Sequence, residues 1–355
     1  MIIIGCDFHP SVQQVALLDT ETGRRLQGRL THEGDQVRRF YAELPAPVRV
    51  GLECSGYSLW FEELLEELGI EYWVGDAAKI RAACPRKQKT DERDARLLLQ
   101  LLEENRFPRI WVPDRATRDL RHLLMHRHKL VCLRSSIGNQ LQAIALNRGL
   151  QRKKRLWSQA GRQKLESLTL PPWTQRRRDD LLRWLDHCDA EIGELDRVAQ
   201  REAESHPEAC YLMQQQIGVG PITALATVLT LGPVERFGCA KQVASYVGLI
   251  PAERSSGPHQ RLGHISKQGS PFLRFLLVQS AQTASRYDSE LKRAYWRLVE
   301  RRGKPIAKVA IARKLITRLY WLLRQRRQAM PSASAASSRG SSRLDMAART
   351  RRNLE

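Results

Sequence analysis

The chain has 355 residues, with 59 Lys and Arg against 38 Asp and Glu, which gives a formal net charge of +21 and a pI near 10.2. It has no run of about 18 apolar residues, and its apolar start reaches Asp7 at once, so we expect neither a membrane-spanning helix nor a signal peptide but a cytoplasmic protein. Its 7 cysteines are widely spaced without a Cys-x-x-Cys pair, which excludes a disulfide framework or zinc ribbon and predicts reduced thiols.

The charge is unevenly distributed along the chain. Residues 1–104 carry 13 Lys and Arg against 18 Asp and Glu, whereas residues 105–355 carry 46 against 20. A basic excess over so long a segment is typical of polyanion binding, because each neutralised phosphate releases counterions. Nucleic acid is therefore the leading expected partner, and an anionic membrane surface is the weaker alternative.

Strands and helices are predicted to alternate over the first hundred residues. The predicted strands cover 2–6, 15–18, 25–30, 48–52 and 70–74, and the predicted helices cover 35–44, 57–68, a short segment after Asp76, and 91–102. Three hairpin strands followed by β-α units are typical of an α/β RNase H-like domain, which we expect over residues 1–108.

Four carboxylates occupy special positions in this pattern. Asp7 and Glu53 end the first and fourth strands, while Asp91 and Asp94 open a helix for which Thr90 is a suitable N-cap. In an RNase H-like sheet those two strands are neighbours, so the carboxylates would meet and repel unless they held one or two Mg²⁺ ions. The alternative is that the two helical aspartates complement a helix dipole and Glu53 pairs with an arginine.

A helical middle region is predicted over residues 109–205. Its apolar residues keep a spacing of three or four, which favours packing within a helical hairpin or coiled-coil packing across a dimer. Between the two stripes, residues 152–155 and 176–178 are strongly basic and either grip phosphates or form a solvated linker. The stripes contain Leu120, Leu123, Leu124, Leu130, Leu133, Ile137, Leu141 and Ile144, and then Leu181, Leu185, Cys188, Ile192 and Leu195.

A mainly α-helical third region is predicted over residues 206–328. The segment with Gly218, Gly220 and Thr223 has the pattern of a helix-hairpin-helix turn, in which glycines permit close approach and a helix N-terminus offers N–H groups to a DNA phosphate. The alternative is a simple interhelical turn. From about residue 329 the sequence is rich in Ser, Ala and Arg, and we expect a disordered basic tail over 329–355.

A polar loop in the third region contains the pair Ser256-Gly257. Basic residues nearby would neutralise a phosphate that an exposed hydroxyl approaches, although such pairs also occur in ordinary turns. Further basic residues lie on the amphipathic helices predicted over 291–299 and 306–323. The residues expected to face nucleic acid are Arg254, Arg261, Lys267, Arg274, Arg313, Lys314 and Arg318.

Taken in order, these motifs resemble the IS110 family of DEDD transposases, which are relatives of Piv-type DNA invertases. The resemblance covers about residues 1–325. It rests on Gly5-Cys6-Asp7, on Glu53-Cys54-Ser55-Gly56, on residues 89–96, on Gly218-Val219-Gly220, and on Ser256-Gly257 followed by Ser266-Lys267 and Leu273-Arg274.

The resemblance implies a RuvC-like domain joined to a C-terminal transposase domain with a nucleophilic serine. By position, the four carboxylates would hold Mg²⁺, and Ser256 would attack a DNA phosphate to form a phosphoserine link, with Ser255 as the fallback nucleophile. It also implies three kinds of partner: DNA at the element ends and target, an element-encoded structured noncoding bridge RNA as guide, and further copies of the chain in a dimer or tetramer. The expected location is the nucleoid of a prokaryotic cell.

Two other functional classes remain open beside the recombinase. One is a metal-dependent, RuvC-like junction nuclease or resolvase that uses water as nucleophile and in which Ser256 is structural. The other is a noncatalytic nucleic-acid-binding protein that retains the fold.

Overall fold

A computed structural model of the chain describes residues 1–83, 90–150, 156–253, 255, 259 and 261–329. Ser256, Arg254, Gly257, the basic run 152–155 and the tail from residue 330 lie outside the described residues. The chain divides into two compact units, Met1–Pro113 and Asp114–Glu355. None of the described helices is long and apolar enough to cross a membrane.

The N-terminal unit is a mixed α/β structure around one five-stranded sheet, in the order β3-β2-β1-β4-β5. Strand β1 runs antiparallel to β2 and parallel to β4, so the first and fourth strands are neighbours, as predicted. All five predicted strands are confirmed. The elements are β1 Ile2–Phe8, β2 Val12–Asp19, β3 Arg25–Thr31, α1 Gln36–Ala42, β4 Val48–Glu53, α2 Leu59–Glu67, β5 Glu71–Gly75, α3 Ala77–Ala83 and α4 Asp91–Glu103.

The two faces of β1 pack against different helices. Its even-numbered residues, such as Ile4 and Phe8, lie in a buried cluster with residues of α1 and α2, whereas Ile3 lies in a cluster with residues of α4. Gly5 faces α4 so closely that a Cβ atom there would lie 2.3 Å from both the Ala95 carbonyl oxygen and the Leu99 nitrogen. Helix α4 therefore rests directly on the backbone of β1.

The second unit is mostly helical. Its short strands β6 and β7 pair antiparallel in a segment where the sequence predicted only a polar loop. Its elements are α5 Arg115–Leu146, α6 Gln159–Glu166, α7 Pro172–Ser205, α8 Pro207–Gln215, α9 Pro221–Leu231, α10 Ala240–Tyr246, β6 Pro251–Glu253, β7 Leu262–Ile265, α11 Pro271–Tyr287, α12 Ser289–Arg302 and α13 Lys304–Ala329.

The long helices α5 and α7 pack against each other and bury most of the predicted apolar stripes. Ile137 and Leu141 of α5 share a buried cluster with Leu185 and Cys188 of α7. Leu133 departs from the pattern, because 46% of it is exposed. The packing favours the helical hairpin over the dimer as the explanation of these stripes.

The arginines at the start of α7 are held by neighbouring protein groups. Arg178 is buried and donates hydrogen bonds to the carbonyl oxygens of Glu166, at 2.7 Å, and Leu168, at 3.1 Å, at the end of α6. Arg177 donates to Gln140 at 2.9 Å, and Arg176 pairs with Asp180 at 3.0 Å. Neither predicted alternative, a phosphate contact or a solvated linker, describes Arg178, since it is buried and its donors satisfy the carbonyl groups of a helix end.

An ion pair joins α13 to the start of α12. Asp288 accepts a hydrogen bond from the Leu291 nitrogen at 3.0 Å, and Arg318 donates to its other oxygen at 2.6 Å. Arg318 also pairs with Glu290 at 2.5 Å, which corrects the prediction that it faces nucleic acid. Burial raises the pKa of Asp288, but the Leu291 and Arg318 hydrogen bonds outweigh it, so the pKa lies below its ordinary value.

We expect Gly5→Ala to lower the free energy of unfolding of the N-terminal unit by at least about 1–3 kcal/mol, because a Cβ at 2.3 Å from backbone atoms forces α4 away from β1. The matched control is Gly28→Ala, where the added Cβ would meet Val15 at an ordinary 3.7 Å. Chemical denaturation followed by circular dichroism measures both. Equal stabilities of the two variants would contradict the close approach of α4.

We expect Asp288→Asn to destabilise the protein by about 1–3 kcal/mol at pH 7, because it removes a charged, hydrogen-bonded partner of Arg318. A depressed carboxyl pKa contributes stability above the unfolded pKa of about 3.9, and this contribution is lost as pH falls through the folded pKa. The difference from wild type should therefore shrink between pH 6 and pH 3 in denaturant titrations.

The matched control for this pair is Glu290→Gln, because Glu290 binds the same arginine but is 72% exposed and should contribute little. A stability loss for Asp288→Asn that is the same at pH 6 and pH 3 would refute the assigned role of the Asp288 charge.

Candidate metal centre and serine hairpin

Two of the four predicted carboxylates meet at the end of β1. Asp7 is 6% exposed and follows the odd-numbered face of the strand toward α4, where Asp91 opens the helix. The Nε2 atom of His9 lies 3.2 Å from Asp7 Oδ2 and 3.5 Å from Asp91 Oδ1. One ligand atom from each of these three residues falls within 4.8 Å of the others, which is close enough to hold one metal ion.

The other two predicted carboxylates flank this group. Cys6 pairs with Leu52 in the parallel register of β1 and β4, so Glu53 follows at the same end of the sheet. Asp94 lies one turn beyond Asp91 on α4, and its Oδ2 atom is shielded from solvent. In the described residues, the compact three-ligand group includes neither Glu53 nor Asp94.

The start of α4 differs from the prediction in one respect. Thr90 has the extended backbone of an N-cap, with φ −139° and ψ 145°, but its side chain makes no capping hydrogen bond. The helix is positioned instead by the packing of its apolar face on β1. Glu92 lies on another face and pairs with Arg96 at 3.8 Å.

The donor set fits a divalent metal ion. A carboxylate as buried as Asp7 is costly unless charge or hydrogen bonds compensate it, and carboxylate oxygens are ligands of Mg²⁺ and Mn²⁺. His9 was not predicted as part of this group. Its signal is the alternation of strand side chains, which places Asp7 and the position just beyond β1 on one side, combined with the frequent use of imidazole as a metal ligand.

Strands β6 and β7 pair antiparallel, and the described Ser255 lies between them in the chain. Pro251 pairs with Ile265 and Glu253 with Leu262, so the connection carries Ser255. The Ser255 hydroxyl donates to Glu253 Oε1 at 2.6 Å and accepts a hydrogen bond from the Arg261 nitrogen at 3.1 Å. The hydroxyl of Ser255 is thus already engaged within the hairpin.

Two glycines and an arginine fix the base of this hairpin. A Cβ on Gly248 would lie 2.2 Å from the Gln268 carbonyl oxygen, and one on Gly269 would lie 2.0 Å from that of Tyr246. Arg274 donates to the carbonyl oxygens of Val247, at 3.0 Å, and Gly269, at 3.2 Å. Arg274 therefore holds the backbone at the base of this hairpin, and its contact with nucleic acid stays a prediction.

The glycine turn before α9 also serves packing. Gly218 has φ +88°, and a Cβ there would lie 2.9 Å from the Ser280 carbonyl oxygen of α11. Thr223 is buried, and its hydroxyl lies 3.1 Å from that of Ser280, so its side chain belongs to the core rather than to a phosphate contact. Gly220, Arg261, Lys267 and Lys314 are exposed, and Arg313 is half-buried.

Comparison with known proteins adds independent information. Residues 4–148 match a DEDD transposase model of the IS110 type, and residues 210–297 match the model for the IS116/IS110/IS902 family of transposases. A probable family 20 transposase of Pseudomonas aeruginosa is 29% identical over 91% of this chain and 96% of its own length. The transposase for insertion sequence element IS1111A of Coxiella burnetii is 26% identical over 90% and 89%.

Another relative has a different activity in its name. The pilin gene-inverting protein of Moraxella lacunata is 28% identical over 68% of this chain and 68% of its own length.

These matches, with the carboxylates at the sheet edge and the helical second region, lead to one conclusion. The chain is a DNA transposase. Both models that it matches describe transposases of the IS110/IS116/IS902 type.

We expect Asp91→Asn to weaken Mn²⁺ binding at least about tenfold, because it removes a carboxylate charge from the three-ligand group. Glu92→Gln is the matched control, since it removes the same charge from the neighbouring position on another helix face. Titration calorimetry on the full chain measures both affinities. If the two variants lose affinity equally, the metal does not bind at Asp91.

Proposed function

We propose that the protein cleaves and rejoins DNA through Ser256, with Asp7, Glu53, Asp91 and Asp94 as the residues that hold Mg²⁺. The observation that carries the proposal is the meeting of Asp7, His9 and Asp91 at the end of β1 in a chain of a transposase family. Bound at this place, the cation would offset the charge of the carboxylates and of the DNA phosphate.

The proposed fold of the N-terminal unit is RNase H-like and RuvC-like. Three features support it: the strand order β3-β2-β1-β4-β5, the parallel pairing of β1 with β4, and the location of the carboxylates at the carboxyl end of these strands. The proposed domain layout keeps residues 1–108, 109–205, 206–328 and 329–355 as the metal domain, helical linker, serine domain and basic tail.

The residues of the metal group have distinct proposed tasks. Asp7 is fixed by strand β1 and Asp91 by helix α4, so their separation depends on how the two elements pack. His9 lies within 3.5 Å of both carboxylates and restrains their orientation. Glu53 would complete the group from the neighbouring strand, and Asp94 would do so from the next turn of the helix.

The proposed chemistry is a transesterification at phosphorus. The Ser256 hydroxyl attacks, a bond from its Oγ atom to phosphorus forms, and the bond from phosphorus to one deoxyribose oxygen breaks. The serine proton passes to solvent, and the released oxygen takes up a proton. A deoxyribose hydroxyl of another strand end then attacks the phosphoserine, which restores a phosphodiester and frees the serine.

Ser256 is preferred over Ser255 because of the hairpin contacts. The Ser255 hydroxyl donates to Glu253 and accepts from the Arg261 nitrogen, so attack by Ser255 would disrupt two hydrogen bonds of the loop. Ser255 therefore acts as a brace in the proposed mechanism.

The proposed partners are DNA, a guide RNA and further copies of the chain. The charge of residues 105–355 and the exposure of Arg261, Lys267 and Lys314 support binding to a nucleic-acid backbone. An element-encoded bridge RNA and a dimer or tetramer follow from the family resemblance alone. The proposed site of action is the prokaryotic nucleoid.

The first test is an adduct assay on the full chain. The protein and its co-encoded RNA are incubated with labelled DNA spanning the element junction and Mg²⁺, then quenched in denaturant, and any cross-linked peptide is mapped. We expect a covalent adduct on Ser256 that is abolished in Ser256→Ala. Ser255→Ala is the control and should retain an adduct, at a reduced rate.

Two outcomes would replace the proposal. DNA cut with free ends and no adduct, also by Ser256→Ala, would assign a metal-dependent junction nuclease or resolvase. Unchanged activities in both Asp7→Asn and Asp91→Asn would leave a noncatalytic nucleic-acid-binding protein.

A further inference from the structure

Aromatic side chains cluster at the same end of the sheet as the metal group. We define the aromatic platform as Phe8, His32, Tyr57 and Trp60. Phe8 is buried at its centre, with ring centroids 5.0 Å from His32, 5.9 Å from Tyr57 and 5.6 Å from Trp60. Tyr57 is 48% exposed and Trp60 is 41% exposed, so two rings of the cluster reach the surface.

The exposed part of this platform is unusual within the N-terminal unit. Among its described residues, the exposed large hydrophobic side chains are Leu26, Tyr57, Leu59 and Trp60, and the two aromatic rings among them both belong to the platform. Scattered apolar side chains are normal on a protein surface, whereas a contiguous group at one place marks a binding site.

The surface rings are held in place before any ligand arrives. Trp60 contacts His32 edge-on at 4.8 Å and Phe61 at 5.8 Å. The buried Ser58 hydroxyl donates to the buried Glu62 carboxylate at 2.8 Å and fixes the first turn of α2. A ring that is already ordered loses little conformational entropy when a flat partner stacks on it.

The platform is continuous with the metal group along the chain. Phe8 lies between Asp7 and His9, and consecutive Cα atoms are about 3.8 Å apart. Because strand residues alternate, Phe8 faces α2 while Asp7 faces α4, so the two groups occupy opposite sides of one sheet edge. A DNA strand with a phosphate at Asp7 therefore brings an adjacent nucleotide to this edge.

We propose that the aromatic platform stacks on an unpaired base of the DNA strand, at a nucleotide next to the phosphodiester held at Asp7 and Asp91. The inference rests on the proposed function, since it takes the metal group as the place of that phosphate. The exposed Tyr57 and Trp60 rings offer π faces without a positive charge, which suits the face of a base rather than a phosphate. A base in a duplex is covered on both faces, so the stacked nucleotide is unpaired when it binds.

The test measures equilibrium binding of the full chain to a junction duplex with a short unpaired gap. The buffer contains Ca²⁺ because this ion takes carboxylate ligands. Each gap base is present, replaced by an abasic site, or replaced by 5-iodo-2′-deoxyuridine for photocross-linking. The variants are Trp60→Leu, which removes the indole ring, and Trp60→Phe, which restores a ring. Leu59→Ala is the control, because it trims a neighbouring exposed side chain without a π face.

We expect Trp60→Leu to weaken binding on the order of tenfold and Trp60→Phe to recover most of the loss. Removing the stacked base should weaken wild type by a similar factor and leave Trp60→Leu unchanged, while Leu59→Ala binds like wild type. The cross-link should map to Tyr57 or Trp60.

The inference is overturned if the abasic site weakens wild type and Trp60→Leu equally, or if cross-links map only elsewhere. It is also overturned if Trp60→Leu changes only the oligomeric state in sedimentation, because the patch would then bind a second copy. If the abasic site weakens binding by wild type but not by Trp60→Leu, and no Ser256 adduct forms, this inference stands and the serine mechanism is overturned. If the adduct forms but the abasic site weakens both proteins equally, this inference alone is overturned.

Discussion

The candidate site depends on one close contact, the packing of α4 against the backbone of β1 at Gly5. Packed elements normally meet through interdigitated side chains, which keep their backbones apart. Here the missing side chain lets the Ala95 carbonyl oxygen and the Leu99 nitrogen approach the strand directly. The first turn of α4 is thereby brought to the strand end, so Asp91 lies within reach of His9 and Asp7.

Much of the N-terminal fold was predictable because its signals are local. Apolar runs and turn residues identified five strands. The largest error in their bounds is at the start of β2, and a buried polar side chain explains it. The glutamines at 13 and 14 interrupt the apolar pattern, so β2 was predicted to begin at Val15, whereas it begins at Val12. Gln13 is fully buried because Cys6 and Tyr41 donate hydrogen bonds to its amide oxygen, at 3.0 and 3.1 Å, which a sequence pattern does not reveal.

The site was predictable only where residue type and position at the end of a strand or the start of a helix together restrict the role of a residue. Asp7 and Asp91 fulfil that condition, and His9 was missed because a histidine after a strand has many ordinary roles. The basic residues show a second limit of a sequence pattern. Arg274 and Arg178 have the composition of phosphate contacts, yet their donors bind carbonyl oxygens of the chain itself. Such pairing depends on backbone segments that only the folded chain brings together, as does the β6–β7 hairpin.

The acidic N-terminal unit and the basic remainder would respond in opposite ways to the same ion. Phosphate binding by the basic segment weakens as cations compete for the DNA. The carboxylates around Asp7 repel a phosphate until a cation offsets their charge. DNA bound by the basic segment alone would thus be repelled by these carboxylates, so in the proposed mechanism the cation would separate the binding of DNA from its breakage.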